Sequence, residues 1–212
     1  MAEEVGYIIG IEGIDAAGKQ TQSSLLASWS MKRGLETASL SFPDYETHIG
    51  KEIRAFLTGE RDFLPQLQHM LFAANRWEKA PLISNHKLTK DVIIVNRYSE
   101  SNIVYGTANG LSLEWLIGLE EGLPKTDLVI VLDADPAGLL RSHRLGLGDS
   151  FEKNSKLQEK AQKLYRELAP RFGWKIVDAS KDIETVNAAV VKMVEENTNL
   201  GEKSKRRERQ RR

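Results

Sequence analysis

Short apolar runs alternate along the chain with longer segments whose apolar residues recur every three or four positions, a pattern that predicts strands alternating with helices. The runs predict strands near residues 7–11, 37–42, 92–95, 128–132 and 175–177. The periodic segments predict helices over 19–33, 49–57, 64–90 with a break at Pro81, 112–120, 136–144, 152–169 and 183–196. Such alternation is satisfied by an α/β fold, a five-stranded parallel sheet flanked by helices. Asp135-Pro136 reads as an N-cap followed by proline at the first helical position, and Gly34 closes the first helix. No internal repeat is visible.

Between the first strand and the first helix stands Gly13-Ile14-Asp15-Ala16-Ala17-Gly18-Lys19-Gln20-Thr21. Gly13 and Gly18 have the spacing G-x-x-x-x-G-K, which lets backbone N–H groups wrap a phosphate chain while Lys19 reaches its β- and γ-phosphates. The helix that follows points its positive end at the same anion. A glycine turn at a strand–helix junction alone is also a structural device, but strand, glycine spacing and lysine together favour phosphate. The loop therefore predicts binding of a nucleoside triphosphate and a P-loop NTPase fold. Gln20 departs from the pattern, which places a serine or threonine after the lysine to ligate Mg²⁺; the nearest hydroxyl is that of Thr21. Gln20 and Asp15 are the candidate ligands that remain, directly or through water.

Composition narrows the class further. A chain of 212 residues with 41% hydrophobic content suffices for one domain with a sizeable core, placed at 1–196. There are no cysteines, hence no disulfide and no thiolate metal site, and no apolar stretch approaches the ~20 residues that cross a bilayer. The N-terminus lacks a basic region followed by an apolar one, so a cytoplasmic location is expected, with no membrane partner. The net charge of zero is unevenly spread: Gly201 to Arg212 holds seven Lys or Arg against two Glu, leaving the rest acidic. Residues 197–212 read as a basic, solvated and disordered tail, with localisation or RNA contact as the alternative use. His48, His69, His86 and His143 show no paired metal-ligand spacing, and Trp29, Trp77, Trp115 and Trp174 read as core or interface residues.

The loop leaves the acceptor open, and a second substrate must be sought at the carboxyl ends of the neighbouring strands. Three segments fall there: Ser41-Phe42-Pro43-Asp44-Tyr45, the helix Phe72-Ala73-Ala74-Asn75-Arg76-Trp77-Glu78, and Asn96-Arg97-Tyr98 leading to Ser101-Asn102 and Tyr105-Gly106. Phe72 and Arg76 are one helical turn apart on one face, and an aromatic ring beside a guanidinium suits a mononucleotide. With Gly122-Leu123-Pro124-Lys125-Thr126-Asp127-Leu128 and Val177-Asp178-Ala179-Ser180, these segments resemble the thymidylate kinase family from about residue 8 to residue 190.

The resemblance implies transfer of the γ-phosphoryl of ATP to dTMP, giving dTDP and ADP, with Mg²⁺ as cofactor and a homodimer as the assembly. It implies Phe72 stacked on thymine, Arg76 and Arg97 on the acceptor phosphate, and Asp15 near the 3′-hydroxyl. Tyr105 would lie against the 2′ position, with Phe42, Pro43 and Ser101 also on the acceptor side. Ala179 would lie on the ATP side. Lys19, Asp15 and Arg97 would act on the transferring group, with Arg141 and Arg144 supplied from a lid at about 141–152, since Ala16 and Ala17 leave the loop without an arginine. Two further positions depart from the family pattern: Asn96 stands where an aspartate often precedes the arginine, and Tyr45 stands near a place where relatives carry a phosphate-binding arginine. A helix cap is the competing role for the lid arginines, and Asp133 reads as structural. The residues alone leave open a kinase of another deoxynucleotide or deoxynucleoside, or a weakly catalytic nucleotide-binding module.

Overall fold

The computed structural model describes residues 5–135 and 150–204. Five strands, β1 (Tyr7–Gly13), β2 (Thr37–Ser41), β3 (Val92–Asn96), β4 (Leu128–Asp133) and β5 (Lys175–Asp178), form one sheet in the order β2-β3-β1-β4-β5. Every pair is parallel, with Ile9 level with Ile94 on one side and Leu128 on the other. Parallel neighbours require crossovers, and the helices between the strands supply them. Ile9, Ile11, Val92 and Ile94 belong to the larger core cluster and Ile8, Ile93 and Val95 to the smaller, the two-residue period of strands buried on both faces.

The helices are α1 (Lys19–Lys32), α2 (His48–Leu57), α3 (Pro65–Trp77), α4 (Ala80–Thr89), α5 (Ser99–Ala108), α6 (Leu113–Glu120), α7 (Ser150–Phe172) and α8 (Ile183–Asn197). The break expected at Pro81 falls before it, because proline is tolerated in the first turn of α4. Helix α5 was not predicted: its glycine, serines and asparagine obscure the apolar period, and it forms because Ile103 and Val104 are buried while Gly106 lets Leu116 approach. Helix α7 runs past Pro170, beyond its expected end at residue 169. Leu168, Ala169 and Trp174 are buried around that turn, and the Trp174 N–H donates to the Ala169 carbonyl at 2.9 Å. The predicted 136–144 helix, Arg141, Arg144 and all but the last residues of the predicted lid lie outside the described residues.

Part of the segment expected as a solvated tail is described. Residues 200–204 are helical, with Leu200 in the larger core and Lys203 2.7 Å from Asp91 Oδ1, so its apolar first residue docks on the domain. Residues 205–212 are outside the described part. Among the described residues no helix is long and apolar enough to cross a membrane.

The segment after β2 is held by close contact. A Cβ on Gly50, in the first turn of α2, would stand 1.8 Å from the Asp44 carbonyl oxygen, and the Asp44 N–H donates to Asn75 Oδ1 at 2.7 Å. Gly50→Ala is therefore expected to push residues 42–45 off α2 and to lower stability by roughly 1–3 kcal/mol, the usual cost of overpacking. Denaturant unfolding measures it; an unchanged midpoint would show that the segment shifts freely.

Candidate active site

The loop after β1 turns at Gly13 because no side chain fits there: φ is 137°, and a Cβ would lie 2.5 Å from the Leu132 carbonyl oxygen. Ile14 and Ala17 anchor the loop in the core, and Gly18 caps α1 with φ 88°. Lys19 is 7% exposed, and its ammonium donates to the Ile14 carbonyl at 2.5 Å. Burial, reinforced by the charge of Arg97 and opposed by Asp15 and Glu12, brings the Lys19 ammonium down to about 7. Gln20 and Thr21 are exposed at the start of α1. Ala179 follows the end of β5, half-buried against the larger core, its N–H donating to the Asp133 carbonyl at 2.9 Å.

A cavity of about 490 Å³ opens beside the loop, a volume suited to a small organic ligand. Its walls bring together Asp15, Phe42, Pro43, Phe72, Arg76, Arg97, Ser101 and Tyr105, which the sequence scatters over ninety positions. Asp15 belongs to both halves of the site. Arg97 Nη2 donates to Asp15 Oδ1, Gln158 Nε2 donates to Asp15 Oδ2 at 2.7 Å, and the Asp15 N–H donates to Gln158 Oε1 at 3.0 Å. The Tyr105 hydroxyl donates to Gln158 Oε1 at 2.9 Å, and the Arg97 guanidinium lies 5.3 Å from the Tyr105 ring centroid. Burial, the leading cause, lifts the Tyr105 phenol to about 12. Arg97 itself has φ 61°, a strained conformation for a residue with a side chain.

The other arginine of the cavity, Arg76, is held by a carboxylate of the protein itself. Arg76 is 3% exposed, and both Nε and Nη2 donate to Glu120, the former at 2.9 Å. Glu120 also accepts from Asn102 Nδ2 at 2.7 Å, and Asn102 Oδ1 lies 2.6 Å from His69 Nδ1. Burial holds His69 below its usual range, which keeps the ring neutral. Arg76 thus enters the cavity as half of a buried ion pair. Tyr45 also lines the cavity, with Arg54 stacked 4.8 Å over its ring.

Gln20 and Asn96, the two departures around the metal position, meet: Asn96 Nδ2 donates to Gln20 Oε1 at 3.0 Å and to Ser41 Oγ at 3.2 Å. Asp133, at the end of β4, accepts from Arg166 Nε at 2.9 Å and from Gln162 Nε2 at 3.1 Å.

Sequence reasoning missed Gln158, Tyr165, Glu12 and Glu120. A signal for the first two exists: Gln158, Ala161, Tyr165 and Leu168 are all buried at helical spacing along α7, so Gln158 occupies a core position of an apolar stripe. Glu12 is a carboxylate at the end of an otherwise apolar strand. Glu120 carries no such mark, because its meeting with Arg76 and Asn102 depends on how α3, α5 and α6 pack.

A family model for thymidylate kinase matches residues 11–190. Human thymidylate kinase is 38% identical over 191 residues, covering 88% of this chain and 89% of the human protein. A protein of Thermococcus onnurineus described as a probable thymidylate kinase is 37% identical over 198 residues, covering 88% of this chain and 96% of its own length. The solved structure of Candida albicans thymidylate kinase superposes with a TM-score of 0.80 at 31% identity, covering 92% of this chain and 94% of that one. Phosphate loop, adjoining acceptor cavity and these relatives agree, and the chain belongs to the thymidylate kinase family.

Proposed function

We propose that dTMP occupies the cavity with its phosphate on Arg97 and its base between Phe72 and the Arg76–Glu120 pair, while the phosphates of ATP lie in the loop 13–21. Family membership supports a phosphotransferase that moves the γ-phosphoryl of ATP to dTMP. The observation that carries the site reading is Asp15, a loop residue ion-paired with Arg97 across the cavity wall, which joins donor and acceptor compartments.

In the transfer, a phosphate oxygen of dTMP attacks the γ-phosphorus in line as the bond to the β-phosphate oxygen breaks. Lys19 and Arg97 flank the path and offset the charge that gathers on the transferring oxygens. Arg141 and Arg144 are the candidates for the remaining cations. The Arg76–Glu120 pair suits a base carbonyl, since both partners are buried against each other while Nη1 keeps donors to give. The Tyr105 ring, fixed by its bond to Gln158, restricts space beside the sugar's 2′ carbon and disfavours a ribose.

Magnesium fits this donor set only as a passenger of the nucleotide. Gln20 Oε1 is taken by Asn96, both Asp15 oxygens are engaged by Arg97 and Gln158, and the Asn96 Oδ1 atom, buried and without a partner, offers a neutral oxygen. The ion would be held chiefly by phosphates and water, with Gln20, Asn96 and Asp15 around it. When bound it supplies charge neutralisation on the phosphates.

Exposed Leu67, Met70 and Trp77 follow the i, i+3, i+10 stripe of α3, and Ile117 of the adjoining α6 is also exposed. This face suits a second copy of the chain, in keeping with the homodimer expected for the family. The dimer is expected to sediment as such, and Met70→Lys is expected to shift it to monomer; a wild-type monomer at micromolar concentration refutes the assignment. The cell compartment proposed is the cytoplasm.

An ATP-coupled assay over nucleosides and monophosphates tests the reaction: dTMP is the expected acceptor, and activity on thymidine instead would overturn the phosphate subsite. Arg97→Ala should remove most of the affinity advantage of dTMP over thymidine, roughly 10- to 100-fold for a charge-assisted contact. Phe72→Ala should raise KM for dTMP and leave that for ATP unchanged, and Tyr105→Ala should improve the use of ribonucleotide relative to deoxyribonucleotide.

Lys19 gives a pH signature. Its ammonium, lowered to about 7, must be charged to hold phosphate, so ATP affinity falls as pH rises through that value. Calorimetry in buffers of contrasting ionisation enthalpy should find proton uptake on ATP binding at pH 8 that is much smaller at pH 6, and that Lys19→Met removes. Equal uptake in the variant would assign the proton elsewhere.

A further inference from the structure

Glu12 lies at the end of β1 with no exposed surface. Its carboxylate accepts three hydrogen bonds. Oε1 accepts the Tyr98 N–H at 2.7 Å; Oε2 accepts the Ser101 hydroxyl at 2.5 Å and the Tyr165 hydroxyl at 2.8 Å. Two of these donors, Tyr98 and Ser101, follow Arg97 at the start of α5. Ser101 Oγ in turn accepts from Arg97 Nη1 at 3.1 Å, so the carboxylate reaches the guanidinium through one hydroxyl.

This arrangement answers a local difficulty. Arg97 turns the chain from β3 into α5 with φ 61°, at a cost of about 1–3 kcal/mol that the surroundings must offset. The helix behind it has no side-chain cap of its own, as its N-cap residue is Tyr98. A carboxylate at the N-cap N–H is the contact that a capping-box glutamate makes from within a helix, and Glu12 makes it from a neighbouring strand. The bond to Tyr165 fastens the same corner to α7, the helix that carries Gln158.

We infer that Glu12 is a positioning residue for the reaction: a buried carboxylate that holds the Arg97–Ser101 corner, so that the guanidinium is presented to the acceptor phosphate in one orientation. It touches neither substrate in the proposed placement and acts through Arg97. The inference rests on the assignment of Arg97 to the dTMP phosphate.

Glu12→Gln keeps the shape and one acceptor oxygen but turns an amide NH₂ toward two hydroxyls that now donate. The expected result is a roughly 10- to 100-fold fall in kcat with weakened dTMP binding, the size seen when a group that orients a reacting contact is lost. ATP affinity by calorimetry at pH 6, where Lys19 stays charged, should stay within about twofold, with thermal melting confirming a folded variant. Tyr165→Phe removes one of the three bonds without altering charge and should show a smaller loss of the same kind; it carries the test if Glu12→Gln fails to fold. Unchanged kcat and dTMP affinity overturn the inference, as does an equal weakening of ATP and dTMP, which would mark a purely structural carboxylate. A wild-type protein that does not phosphorylate dTMP would instead sink the reading on which the inference rests.

Discussion

Arg97 and Asp15 come from different crossovers of the sheet, and their ion pair forms only because β3 and β1 are parallel neighbours with Asn96 level with Ile11. That register brings the carboxyl ends of the two strands side by side, one continuing into the phosphate loop and the other into the strained corner at Arg97. The pair then recruits Gln158 from α7, which binds both the backbone and the side chain of Asp15 and receives the Tyr105 hydroxyl. A disturbance of this one contact would reach the loop, the cavity wall and α7 together. Charge explains the layout: Lys19 and Arg97 both need countercharge when phosphate is not beside them, and Asp15 and Glu12 supply it from the loop and strand between them.

Local information made the sheet and the loop legible. Strand ends were placed within a residue or two, since an apolar run of β-branched residues flanked by polar ones has few other uses, and the glycine spacing of the loop fixes its conformation whatever surrounds it. Helix α5 was not legible. Its residues are selected for what they touch: Ser101 for Glu12 and Arg97, Asn102 for His69 and Glu120, Gly106 for Leu116. Polar residues chosen for tertiary contacts erase the apolar period by which a helix is recognised, so the element richest in site residues left the weakest pattern.

Arg76 shows the same limit at the level of a single side chain. Its position one turn after Phe72 correctly placed it in the cavity, but its electrostatic character depends on Glu120, forty-four residues away. A guanidinium alone reads as an anion site; with both Nε and Nη2 engaged by a buried carboxylate it is a neutral donor. Removing Glu120 would leave an uncompensated buried charge, the costly way to break such a pair, so the two residues function as one unit. The cavity thereby holds two different ion pairs, the partly exposed Arg97–Asp15 at the loop end and the buried Arg76–Glu120 at the other.

The two departures from the usual phosphate-loop chemistry also make sense as a unit. A hydroxyl after the loop lysine and an acid at the end of the third strand would ordinarily meet around a cation; here Gln20 and Asn96 meet through their carboxamides, and Ser41 joins them from β2. Amide bonded to amide keeps the tie between the start of α1 and the end of β3 without negative charge. One consequence falls on Lys19 and Arg97, whose balance then depends on Asp15 and Glu12 instead of on an additional acid at the metal position. The other falls on the order of assembly. A protein that offers neutral oxygens has little hold on a divalent ion by itself, so such an ion is expected to enter with the nucleotide, which concentrates its charge effect on the phosphates that are about to react.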